Sequence, residues 1–116
     1  MRTIICGGRH YNLTVHDFAW LDELRTTLPI TSIISGGATG ADYGGEKFAR
    51  MNKIPLTVKP ADWKRWGKLA GFFRNAEMAE IADAVIAFPG GTGTADMVRR
   101  AKEKGLRMTI KNPAHF

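Results

Sequence analysis

Short apolar runs alternate with longer amphipathic stretches along the whole chain. Runs at about Thr3–Cys6, Ser32–Ser35, Pro55–Lys59, Ala84–Phe88 and Arg107–Ile110 have the length and bounding residues of strands. Between them, helical patterns occupy about Val15–Leu28, Ala41–Asn52, Gly71–Ala82 and Ala95–Lys104. In the first helix Val15, Phe18, Leu21, Leu24 and Leu28 recur at helical spacing and form one apolar stripe. Thr14 and Asp17 stand as a capping box before it, and Pro29 marks its stop. The stretch Lys59–Leu69, which carries Trp63 and Trp66, follows neither period. Strand–helix alternation with crossovers of this length predicts an α/β fold, a Rossmann-like parallel sheet of about five strands flanked by helices. No linker, repeat or low-complexity segment interrupts it, so residues 1–116 read as one domain.

Three of these strands empty into glycines. Thr3–Cys6 runs into Gly7-Gly8-Arg9, Ser32–Ser35 into Gly36-Gly37-Ala38-Thr39-Gly40, and Ala84–Phe88 into Pro89-Gly90-Gly91-Thr92-Gly93-Thr94. In a parallel sheet such loops gather along one edge, outside the carboxyl ends of the strands, where ligands of open α/β sheets bind. A helix begins after each of the last two clusters. Its first turn leaves amide groups unpaired and carries partial positive charge, which suits a phosphate. One glycine cluster alone would read as a tight turn; three in register favour a binding crevice.

At 116 residues, 44% hydrophobic and 24% charged, the chain has room for one core and little for a separate substrate domain. Relatively little wall is left for a pocket, which favours a homo-oligomer. No run approaches the roughly 20 apolar residues that span a bilayer, and no secretory-signal pattern is seen, so a cytoplasmic protein without membrane contact is expected. The single cysteine excludes an internal disulfide, and Cys6 reads as a small buried hydrophobe. A formal net charge of +6 suits anionic partners, either a phosphorylated small molecule or nucleic acid. Arg99, Arg100, Lys102, Lys104, Arg107 and Lys111 cluster late, several where a helix C-terminus welcomes cations. No zinc-finger spacing or aromatic RNA-binding motif accompanies them, so nucleic acid is the minority reading.

Neither G-x-x-x-x-G-K-[ST] nor G-x-G-x-x-G occurs, and no cofactor is expected. Thr92 and Thr94 offer hydroxyls to phosphate oxygens or cap a helix. Arg74 either pairs with a phosphate or lies on the surface. Asp42 can cap its helix, hold ribose hydroxyls or direct water, and Glu46 follows one turn later on the same face. Trp63, Trp66 and Lys68 offer either stacking surfaces or a loop anchor. His10, His16 and His115 show no metal-ligand spacing, and no metal site is expected.

Together, Gly7-Gly8-Arg9-His10-Tyr11, Ser35–Asp42, Pro60-Ala61-Asp62-Trp63, Ala70-Gly71 with Arg74-Asn75 and Met78, and Ala87–Met97 resemble the SMF/DprA–LOG (SLOG) superfamily, specifically its YspA-related branch. The resemblance runs over nearly the whole chain and implies a nucleotide or nucleotide-derived ligand. It makes Gly8, Arg9, Gly36, Gly37, Gly40, Glu46, Asn75, Pro89, Gly90, Gly91, Thr92, Gly93 and Thr94 candidate binding residues. The LONELY GUY phosphoribohydrolases, more distant relatives, cleave the N-glycosidic bond of nucleoside monophosphates. They couple an Arg-Lys pair to a P-G-G-x-G-T-x-x-E loop. Here Arg74 matches the arginine, Asn75 replaces the lysine, and Met97 stands in place of the glutamate. Asp96 is one position off. The phosphate cradle carries over and the catalytic carboxylate does not.

Three functions follow. The first is N-glycosidic cleavage with Asp42 or Asp96 (or Glu46) at the sugar and Arg74 at the leaving side. The second is a non-catalytic module that senses or sequesters a nucleotide signal, which Met97 favours. The third is single-stranded nucleic-acid binding, suggested by the charge.

Overall fold

The computed structural model describes residues 1–112; His115 lies outside them. Five parallel strands form one sheet in the order β3-β2-β1-β4-β5, with β1 at Arg2–Cys6, β2 at Ser32–Ser35, β3 at Leu56–Val58, β4 at Ala84–Ala87 and β5 at Arg107–Ile110. The chain therefore winds outward from β1 in one direction, crosses back to β4, and winds outward in the other. Strand order reverses between β1 and β4, and the loops leaving these two strands diverge there and open a crevice.

The three central strands are apolar because helices cover both faces. On one face Ile5, Ile33, Ala84, Ile86 and Phe88 pack with Leu21 and Leu28, which belong to α1 (Val15–Leu24) and the turn after it, and with Phe48 of α2 (Ala41–Met51). On the other, Ile4, Cys6, Ile34, Val85 and Ala87 pack with Met78 of α4 (Ala70–Ile81) and Met97 of α5 (Thr92–Glu103). Residues of β1 thus alternate between two cores, as the two-residue strand period requires. Phe88 is fully buried, stacked on Tyr11 and edge-on to Trp20 with ring centroids 5.5 Å away in each case. Burying a side chain of this size contributes about 2–3 kcal/mol. No helix of the described residues is long and apolar enough to cross a membrane.

The Thr14–Asp17 capping box forms as its spacing predicts. Asp17 does more than cap: its buried carboxylate also accepts from Tyr11 Oη at 3.1 Å and pairs with Lys111 beyond β5. Burial works against its charge, but these partners prevail and hold its pKa below the ordinary value.

Several boundaries differ from the sequence reading. Helix α1 stops at Leu24, not Leu28, because Thr26 and Thr27 turn their hydroxyls onto the carbonyls of Glu23 and Leu24 and compete with the helical ladder. Val15 of the expected apolar stripe is 83% exposed, since its place in the first turn overhangs the core. The irregular stretch contains a short helix, α3 (Trp63–Trp66), capped by Asp62, and a 3-10 turn at Gly67–Leu69. Helix α5 begins at Thr92, three residues before the expected start at Ala95, so Thr92-Gly93-Thr94 is its first turn.

Candidate functional site

At the β1/β4 switch point lies a cavity of about 750 Å³. Its walls are the loop after β1 (Gly7 to Tyr11), the loop after β4 (Pro89 to Gly91), the first turn of α5, and Arg74, Asn75 and Met78 of α4. The amide of Gly8 donates to the carbonyl of Pro89 at 2.9 Å and ties the two loops together.

Helices α2 and α5 each begin at this edge directly after a glycine cluster, and their N-termini differ. That of α2 is already answered by protein: the amide of Ala41 donates to the carbonyl of Gly8 at 3.2 Å, and Gly40 (φ 75°) turns the chain beneath that loop. That of α5 is open to the cavity. Gly91 occupies its N-cap, no side chain caps it, and Thr92, Gly93 and Thr94 line the cavity. Thr94, buried, sets its hydroxyl against Gly90, where a Cβ would lie only 2.1 Å from it.

The glycines divide in the same way. A Cβ at Gly36 would strike Arg74 Nη1 at 2.5 Å and Asp42 Oδ2 at 2.8 Å, so packing accounts for that glycine. A Cβ at Gly91 or Gly93 would meet nothing within 4 Å. Neither backbone is left-handed, and glycine is a poor helix former. Crowding within the fold therefore does not account for glycine at either position, whereas close approach of a ligand to the backbone does.

Arg74 bridges the site. Its Nη1 donates to the carbonyl of Gly36 and its Nε to Asn75 Oδ1 at 3.1 Å. Its Nη2 has no hydrogen-bond partner among the described residues. Asn75 Nδ2 donates in turn to the carbonyl of Gly93 at 3.0 Å and to Asp96 Oδ2 at 3.1 Å, fixing α4 to the first turn of α5. In place of a lysine, then, stands an amide that positions the α5 terminus.

The three candidate carboxylates have different surroundings. Asp42 lines the cavity, is 6% exposed and accepts from the amide of Ala38 at 3.2 Å. Burial raises its pKa to about 6, against the pull of that amide and of Arg74, with Glu46 adding to the rise. Glu46 accepts from Ser35 Oγ at 2.7 Å and faces Arg50, away from the cavity. Asp96 accepts from Arg99 at 2.8 Å, Arg100 at 2.9 Å and Asn75, also off the cavity, and these partners hold its pKa low despite partial burial. The structure thus brings Asp42 and Arg74 together with the Pro89–Thr94 segment and leaves Glu46 and Asp96 behind them.

Among the binding candidates, Gly8, Arg9, Asn75, Pro89, Gly90, Gly91, Thr92, Gly93 and Thr94 line this cavity. Gly36 and Gly37 line an adjoining one, and Gly40 lines neither. His10, Tyr11, Cys6 and Met97 also face the cavity, although none is a binding candidate from the sequence; for His10 and Tyr11 the signal is the run Gly7–Tyr11 directly after β1, and for Met97 it is its place after the Pro89–Thr94 segment. The Cys6 thiol is pushed far above its ordinary pKa by burial and then by Asp42, so it stays neutral. Of the late basic cluster, Arg99, Arg100, Lys104 and Lys111 are paired with Asp96, Glu103, Glu80 and Asp17.

Among known protein families, the model described as YAcAr, the YspA, cpYpsA-related SLOG family, matches residues 1–66, more than half of the chain. The matched part holds the loops after β1 and β2 and ends before Arg74 and the Pro89–Thr94 segment. No curated protein and no solved structure matches.

Proposed function

We propose, from the premise that the chain belongs to the YspA, cpYpsA-related SLOG family, that it binds a nucleotide or nucleotide-derived ligand through its phosphate. In this reading the phosphate rests on the first-turn amides of α5, and Arg74 Nη2 supplies a cationic contact beside it. The observation that carries this is the open, uncapped N-terminus of α5, with glycines at 91 and 93 where a side chain would have free space. Titration calorimetry with a nucleoside 5′-monophosphate and with the same nucleoside lacking phosphate tests it. Saturable binding is expected only with the phosphate present. Equal affinity for both would contradict the reading.

A second reading, cleavage of the N-glycosidic bond, is favoured by one observation. Asp42 is the one carboxylate among the described residues lining the cavity. An oxocarbenium-like transition state is stabilised by a nearby carboxylate, and a base near pKa 6 is ionised and still basic at neutral pH. Met97, apolar and 1% exposed in the same wall, weighs toward binding without cleavage.

A further inference from the structure

A second cavity of about 380 Å³ adjoins the first. Arg9, Ala38, Arg74, Asn75 and Gly93 line both, so the two spaces meet across these residues. We propose that this second cavity is the subsite for the ring of a 6-oxopurine nucleotide, whose base lies against the indole of Trp63. The proposal rests on the phosphate reading above and extends it to the other end of the ligand.

Three observations carry it. The first is the state of the two tryptophans. Trp66 is taken up by its own neighbours: Phe73 lies 4.6 Å away between ring centroids and the Arg65 guanidinium sits 4.6 Å over its ring. Trp63 faces the cavity, has neither contact, and is 55% exposed. An exposed indole on a cavity wall is a stacking platform, and Phe72 adds a second aromatic lining residue.

The second is the missing side chain at Gly71. A Cβ there would touch the indole of Trp63 at 3.6 Å and approach Arg74 Nη2 at 3.8 Å. The glycine therefore sits where the platform meets the arginine that faces the phosphate cavity. A flat ring on Trp63 and a phosphate at α5 are joined through one residue.

The third is the sign of the polar groups. Arg9, Lys68 and Arg74 line this cavity, no carboxylate does so among the described residues, and the acceptor oxygen of Asn75, which also lines it, already accepts from Arg74 Nε. Side chains that only donate hydrogen bonds favour a ring edge that only accepts. The O6/N7 edge of a 6-oxopurine meets that condition, whereas adenine offers an amino donor beside N7.

The test compares ribose 5-phosphate, inosine 5′-monophosphate and adenosine 5′-monophosphate by titration calorimetry on the full chain. Wild type is expected to bind the inosine nucleotide more tightly than the adenosine nucleotide, and both more tightly than ribose 5-phosphate. Trp63→Ala should weaken inosine monophosphate by about 5- to 150-fold, the range for losing one stacked base, and leave ribose 5-phosphate unchanged. Trp63→Phe should restore most of the loss, and Trp66→Ala should have little effect. Wild type binding ribose 5-phosphate as tightly as both nucleotides would overturn the ring subsite and leave the phosphate reading standing. So would equal weakening of all three ligands by Trp63→Ala. Equal affinity for the two nucleotides would overturn the 6-oxopurine assignment. If none of the three binds to wild type, the phosphate reading fails and the subsite with it.

Discussion

Gly91→Val is expected to lower affinity for a nucleoside 5′-monophosphate by at least about 100-fold while the protein stays folded. Two effects separate cleanly at this position. The backbone at Gly91 has φ −99° and ψ −143°, outside the left-handed region, and an added Cβ meets nothing within 4 Å. The fold therefore has space for the Cβ of a side chain. A ligand resting on the amides of Thr92, Gly93 and Thr94 does not, because the branched methyls stand between it and the helix terminus. Hydrogen bonds to charged groups contribute about 1.5–3 kcal/mol each, so losing two of them corresponds to about 10²–10⁴ in affinity. Circular dichroism and thermal melting establish that the variant is folded, and calorimetry reads the binding. A folded variant with unchanged affinity would place the phosphate elsewhere.

Asp42→Asn is the second large effect. If base is released from nucleoside monophosphates, the variant should release it about 10²–10⁴ times more slowly, the usual worth of a positioned acid or base, with binding changed only a few-fold. The wild-type rate should rise with pH through about 6, where the carboxylate ionises. Chromatography of free base checks both. Activity indifferent to the substitution would exclude Asp42, and no release at all from wild type would leave a binding module. The same variant has a stability signature. Burial holds the folded-state pKa near 6, above the ordinary 3.8, so the protonated form is favoured by folding. Stability from this group is fully present below pH about 4 and declines as pH rises through 6, by about 3 kcal/mol at most. The difference in melting between wild type and Asp42→Asn should follow that window. Met97→Glu, which places the relatives' glutamate, is a poorer probe. Its carboxylate would enter an apolar cluster with Ile4, Cys6 and Val85 at a position 1% exposed, at a cost of several kcal/mol.

The parallel sheet was legible because β1, β2 and β4 are short apolar runs covered by helices on both faces, a pattern that survives without tertiary information. The capping box of α1 was legible for a local reason, since Thr14 and Asp17 are three residues apart. The start of α5 was not. Three glycines and two threonines in five residues, Gly90 to Thr94, argue for a loop, and packing against α4 through Asn75 holds the last three in a helix. That difference matters for the site, because the amides of 92–94 belong to a helix terminus and not to a flexible loop. The separation of the three carboxylates was equally hidden. Asp42, Glu46 and Asp96 are chemically alike in sequence, and their roles diverge through Ser35, Arg99 and Arg100, partners that only the folded chain assigns. The two tryptophans likewise look equivalent until Phe73 is seen to occupy Trp66.

The most direct test of phosphate binding at α5 is a heteronuclear NMR titration of the protein with a nucleoside 5′-monophosphate, following backbone amide resonances. The account predicts saturable shifts that are largest at Thr92, Gly93 and Thr94, with the amide of Ala41, already bonded to Gly8, moving little. Saturable shifts centred on the α2 terminus, with residues 92–94 unmoved, would contradict it.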